Sequence, residues 1–134
     1  MKEVWYIAHP VTGDPEGNCK KAIEWVRWLT LNEPSRVYIA PWVAEVLAFV
    51  GQDIPEAFYD RVLADDQDVV SRLDGILLVG GRISRGMQLE REAAQAHDRC
   101  VADWSELAEP PPDGTAKEEF LRDLRGDSEG CGCS

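Results

Sequence analysis

The chain has 134 residues, 44% of them hydrophobic and 29% charged, enough for one domain with a single core and ordinary for a globular protein. Its formal net charge of -11 opposes nonspecific association with nucleic acid polymers or anionic membranes, while leaving room for one local basic pocket that holds a phosphate. The opening "MKEVWYIAHP" lacks the apolar core and small-residue cleavage site of a secretion signal, and no apolar run approaches the ~20 residues of a membrane span, so a cytoplasmic location is expected.

In chain order, residues 3–8, "EVWYIA", predict a first strand, and "HPVTGDPEG" then places Pro, Gly and Asp in turn positions. A helix is predicted over 16–30, where Ala22, Trp25, Val26 and Leu29 fall on one face at i, i+3, i+4 and i+7. Pro34 separates it from "RVYIA", residues 36–40, a second strand. In "PWVAEVLAFVGQDIP" the apolar residues permit a helical turn, but Pro41, Gly51 and Pro55 make it read as a loop or lid. A helix follows over 56–72, with Phe58, Val62, Val69 and Val70 facing inward. "GILLVG", residues 75–80, is apolar on both faces and is expected as a central third strand. A helix over 86–97 and a fourth strand, "RCVAD" at 99–103, complete the pattern. Cys19 and Cys100 fall inside predicted elements and read as isolated thiols, whereas Cys131 and Cys133 in the terminal "GCGCS" supply too few ligands for a closed zinc site.

This alternation predicts an α/β three-layer sandwich, flavodoxin-like or Rossmann-like, with a mostly parallel sheet of four to five strands. Residues 1–108 are expected to form the α/β domain, and 109–134 a Pro- and charge-rich tail with a short helix at 116–125 and a flexible end. In an open parallel sheet, ligands bind beyond the carboxyl ends of the strands. The loops from His9 to Gly13, from Pro41 onward and from Gly80 to Gly86 converge there. Ser84 is an N-cap candidate, Gly86 lets a ligand approach the backbone, and a helix start suits a phosphate or carboxylate, with Arg82 and Arg85 able to add charge-assisted bonds. The bland alternative is an ordinary strand–turn–helix with surface arginines. Taken alone, Glu90 and Glu92 read as solvated helix residues, as do Asp65, Asp66 and Asp68 in "ADDQD".

"SRGMQLE" fits the pattern Ser/Asp-x-Gly-x-x-x-Glu and resembles the nucleoside 2-deoxyribosyltransferase superfamily, which includes the deoxynucleoside 5'-monophosphate N-glycosidases. The resemblance spans residues 3–104. It implies Glu90 as the nucleophile at the anomeric carbon and Ser84 as a phosphate contact, as in the hydrolases of that superfamily. "DQDVVSRLD" carries Asp66 at the spacing of the superfamily's second acid, which touches base or sugar or assists proton transfer. Tyr6 matches a tyrosine near the sugar. "YIAHPVTGDPEGNCKKA" is similar to the first loop of small bacterial and phage members, which implies His9, Pro10 and Gly13 as substrate contacts and leaves Asn18 as either a site residue or a loop brace. The transferases use a late asparagine from a neighbouring subunit. This chain has none after Asn32, which points to the hydrolase side.

The resemblance thus implies an N-glycosidase acting on nucleoside 5'-monophosphates, with Glu90 and Asp66 catalytic and Tyr6, His9, Pro10, Gly13, Ser84, Arg85 and Gly86 binding. Trp42 is expected either to stack on the base or to lie in the core. The expected partners are a small nucleoside or nucleotide and further copies of the chain, with no cofactor, metal, nucleic acid polymer or membrane. A noncatalytic nucleotide-binding module and a deoxyribosyltransferase are the alternatives.

Overall fold

The computed structural model of the protein describes residues 1–112. The elements run β1 (Glu3–Ala8), α1 (Pro15–Asn32), β2 (Arg36–Ile39), α2 (Pro41–Ala48), α3 (Glu56–Arg72), β3 (Gly75–Leu78), α4 (Arg85–Ala96) and β4 (Cys100–Asp103). The strands form one four-stranded sheet in the order β2-β1-β3-β4, and each neighbouring pair is parallel. The fold is the α/β three-layer sandwich that the alternating pattern predicts.

The layering follows from strand order. The step from β1 to β2 runs one way across the sheet, and the steps from β2 to β3 and from β3 to β4 run the other way. Right-handed crossovers then place α1 on one face and α3 and α4 on the opposite face. The period of two along β1 serves both faces. Trp5 and Ile7 enter a cluster with Trp25, Trp28 and Leu29 of α1, whereas Tyr6 and Ala8 enter one with Val70, Met87 and Ala94 of α3 and α4. All four residues of β3 are buried, as a central strand requires.

The stretch expected to be a loop or lid is helical over Pro41–Ala48. Pro41 occupies the first turn, where its missing N–H has no partner to lose and its fixed φ already suits a helix. Pro55 is likewise the N-cap of α3, so both prolines bound helices instead of breaking one. Trp42 ties α2 to the sheet, its indole N–H donating to the Ile7 carbonyl at 2.7 Å. Phe49 and Phe58 pack edge to face, 5.2 Å between ring centres, and join the end of α2 to α3.

Packing continues past residue 108. Trp104 and Leu107 lie against the α1-side cluster, the Gly80 N–H donates to the Leu107 carbonyl at 2.8 Å, and Pro111 is buried. The helix expected at 116–125 and the terminal cysteines lie outside the described residues. Cys19 is a buried free thiol. Cys100 is disulfide-bonded, which corrects the reading of it as an isolated thiol, because pairing depends on approach in space and not on position within a strand. No helix among the described residues is long and apolar enough to cross a membrane.

Candidate active site

Chain direction across the sheet reverses between β1 and β3, and such a switch point opens a crevice at the carboxyl ends of the two strands. The loops after β1 and β3 meet there at close range. Gly80 has φ +115°, and a Cβ on it would lie 2.5 Å from Pro10 Cδ and 2.8 Å from His9 Cδ2, so no other residue fits between these loops. Arg82 latches the same two loops by donating to the Thr12 carbonyl at 3.2 Å.

The crevice deepens into a cavity of about 570 Å³, a size suited to a small organic ligand. Val46, Phe49, Phe58, Val62 and Leu63 make its walls apolar, and three carboxyl groups, Glu45 of α2, Asp66 of α3 and Glu90 of α4, line it together. Asp66 and Glu90 are both buried. Each sits on the inward stripe of its helix: Asp66 is four residues from Val62 and from Val70, and Glu90 falls between Met87 and Ala94.

Glu90 accepts a hydrogen bond from the hydroxyl of Tyr6, which is fully buried beneath it on β1. Burial raises the Glu90 carboxyl most, the Tyr6 bond opposes it and the Glu45 charge adds to it, leaving the group at about 7. Burial and then the Glu90 charge push the Tyr6 phenol well above its ordinary value, so Tyr6 remains a donor across the working pH range. Asp66 is raised further than Glu90, first by burial, then by a hydrogen bond to Glu45 and the charge of that residue, and then by Glu90. At neutral pH the site therefore holds one proton on Asp66 and a carboxylate on Glu90 close to its midpoint.

The rim is the start of α4. The Ser84 hydroxyl accepts from the Met87 N–H at 3.2 Å and caps the helix, leaving its own hydrogen able to donate. Helix geometry leaves the Arg85 and Gly86 N–H groups without intrahelical partners, at the positive end of the helix dipole. Arg85 is the one Lys or Arg among the described residues of the cavity lining, against Asp14, Glu16, Glu45, Asp66 and Glu90. Positive side-chain charge in the described lining is thus confined to this end.

His9 lines the cavity with its ring stacked 6.3 Å from Trp42. Its Nδ1 lies 2.7 Å from the Pro10 carbonyl and so carries the hydrogen. Burial lowers its pKa, so the ring is neutral, and Nε2 is buried with no hydrogen-bond partner among the described residues. Among those residues no group of three or more His, Cys, Asp or Glu side chains is arranged to hold a metal ion.

The structure thus brings His9, Asp66, Ser84, Arg85, Gly86 and Glu90 to one cavity, with Tyr6 supporting Glu90 from below. Pro10 and Gly13, expected as substrate contacts, are not among the residues that line it. Pro10 packs beneath Gly80, Gly13 takes φ +100° to turn the loop, and Val11, Thr12 and Asp14 present the lining surface instead. Asn18 is the loop brace, donating to the Val11 carbonyl at 3.0 Å. Trp42 is buried with its N–H committed to Ile7, and it borders the cavity from the core. Asp65, Asp68 and Glu92 are exposed, as read from the sequence. Glu45 is the residue missed, because its segment read as a loop. Its signal lay in "WVAEVLA", where a helix started at Pro41 puts Glu45 one turn from Trp42, on the same face.

No protein-family model matches the chain, and no curated protein matches its sequence.

Proposed function

We propose that this cavity cleaves the N-glycosidic bond of nucleoside 5'-monophosphates, with Glu90 as the nucleophile. The observation that carries the reading is the buried Glu90 carboxylate, oriented by Tyr6 and set six positions inside a helix whose free N-terminus forms the cavity rim. That separation is roughly 9 Å along the helix axis, room for a sugar whose 5'-phosphate meets the rim while its anomeric carbon meets Glu90. The resemblance of "SRGMQLE" to the nucleoside 2-deoxyribosyltransferase superfamily supports the same assignment.

In this reading Ser84, Arg85 and the Gly86 N–H hold the phosphate, and their remote binding energy positions the sugar. Departure of the base develops positive charge on the sugar, and the Glu90 carboxylate stabilises it and then bonds to the anomeric carbon. Tyr6 fixes which Glu90 oxygen is free to attack. Asp66, protonated at neutral pH, gives its proton to the leaving base. Water then releases the sugar phosphate. The protein needs no cofactor for these steps and acts as a homo-oligomer.

The test is to incubate the protein with ribo- and deoxyribonucleoside 5'-monophosphates and assay free base, beside Glu90→Ala. Release by the wild type alone supports the reading. Binding of monophosphates without release by either protein assigns the cavity to noncatalytic nucleotide binding, and neither binding nor release removes the nucleotide altogether.

A further inference from the structure

Glu45 Oε1 is buried and meets no ordinary donor among the described residues. A buried carboxylate oxygen left so is expensive, and such atoms in folded proteins nearly always have a partner. Glu45 and Asp66 reach the same cavity from α2 and α3 and lie within hydrogen-bonding reach of each other. Two ionised carboxylates cannot bond to each other. One proton between them satisfies both, because a protonated carboxyl is a donor.

We propose that Glu45 is a positioning residue: it accepts the proton-bearing hydrogen bond of Asp66, and so makes Asp66 the group that protonates the leaving base and then deprotonates the entering water. Its chemical role rests on the N-glycosidase reading, whereas the shared proton itself does not. The groups around Asp66 favour this assignment of the proton. Glu45 faces it from α2, Glu90 from α4, and Asp65 adds a third negative charge from its own helix, while Tyr6 on β1 is already committed to Glu90. No cation among these neighbours holds Asp66 in its ionised form.

The balance of the reaction gives the pair its use. In the first step a Glu90 oxygen bonds to the anomeric carbon as the carbon–nitrogen bond breaks, and the departing nitrogen takes the Asp66 proton with its electron pair. Glu90 becomes a neutral ester, and Asp66 and Glu45 are then both anions in contact. Their repulsion makes Asp66 a strong base at the moment water must be activated. In the second step Asp66 takes a proton from water, the water oxygen bonds to the anomeric carbon, and the bond to Glu90 breaks. The free base and the sugar phosphate leave, and the shared proton is restored.

The pair is tested by carbon NMR titration of protein labelled at the aspartate side-chain carboxyls, with Asp66→Asn to assign the signal, in the wild type, Glu45→Gln and Glu45→Asp. Asp66 is expected to stay protonated through neutral pH in the wild type. In Glu45→Gln its midpoint falls by about one pH unit or more, and Glu45→Asp restores much of the shift. The alkaline limb of kcat against pH should move with it, while KM changes by less than about threefold, since Glu45 lies away from the phosphate rim. The pair is overturned if Asp66 titrates alongside the exposed Asp65 and Asp68, or if its midpoint is the same with and without the Glu45 carboxylate. Absence of base release by the wild type would instead remove the N-glycosidase reading, with the titration still deciding the pair.

Discussion

At the amino end of the sheet, Glu33 is fully buried and accepts from the hydroxyls of Tyr38, at 3.1 Å, and Ser35. Arg36 beside it lies over the Trp5 ring at 4.1 Å, with its Nε 3.6 Å from Glu3. At the carboxyl end, Glu45, Asp66 and Glu90 converge on a cavity, and Tyr6 is the donor that reaches Glu90. Both regions set a tyrosine hydroxyl on a buried glutamate. The one arginine of the cavity lining, Arg85, stands at the rim, and among the described residues no ion pair joins it to the three acids, whereas the first region has Arg36 in an ion pair with Glu3. Charge compensated in this way holds structure together. Buried acids crowded together without an ion-pair partner cost stability and shift their own proton affinities, as groups kept for chemistry do.

The two regions should therefore respond in opposite senses to loss of a carboxylate. The largest effect is expected for Glu90→Gln, which lowers base release by about a thousandfold or more while monophosphate binding persists, as removal of a nucleophile does. Parallel turnover and binding measurements decide it, and comparable turnover in the variant would return Glu90 to a structural role. Glu33→Ala strands the Tyr38 and Ser35 hydroxyls and is expected to cost about 3 kcal/mol in urea unfolding, with turnover per folded molecule unchanged. A loss of turnover there would show that the amino end is not purely structural.

Acidity separates the two regions further. The Glu90 carboxyl rises from 4.5 to about 7 in the folded protein. Between those values the unfolded chain has lost the proton that the folded chain retains. The contribution of Glu90 to stability is thus complete below the lower value and is lost as pH rises through the upper one. Glu90→Gln escapes this loss, so it should gain on the wild type from about pH 5 to about pH 8, by on the order of 3 kcal/mol at most. Turnover of the wild type should rise over the same range as the nucleophile ionises. A difference in stability that is flat with pH would mean that Glu90 titrates as an exposed glutamate. The smallest effect is expected for Ser84→Ala, which removes the α4 cap for about 1 kcal/mol and raises KM for monophosphates more than for the matching nucleosides. Equal changes for both ligands would take Ser84 out of the phosphate rim.

Much of the fold is legible in the sequence. The two-residue alternation of "EVWYIA", the fully apolar "GILLVG" and the inward stripes of α1 and α3 follow directly from burial on a layered sheet. Ser84 as a cap was visible for the same local reason. The acids were harder to read. Asp66 sits midway between Val62 and Val70, and Glu90 between Met87 and Ala94, both positions on buried stripes, yet a charged residue on its own reads as solvated. The motif "SRGMQLE" and the spacing of "DQDVVSRLD" draw attention to them where burial statistics do not. Glu45 is not legible because Pro41, with Gly51 and Pro55, makes its segment read as a loop, whereas Pro41 starts a helix, and a residue placed in a loop cannot be assigned to a face. The disulfide state of Cys100 was beyond reach, since pairing is a property of folded distance.

The proposed chemistry depends on a bond between Glu90 and the sugar of a nucleotide. The direct test is intact-protein and peptide mass spectrometry after incubation with nucleoside 5'-monophosphates fluorinated at the sugar 2' position, which slows release of a glycosyl–enzyme ester. One added sugar phosphate is expected, mapped to Glu90 in the wild type and absent from Glu90→Gln. Free base released with no adduct, or an adduct on any other residue, would contradict it.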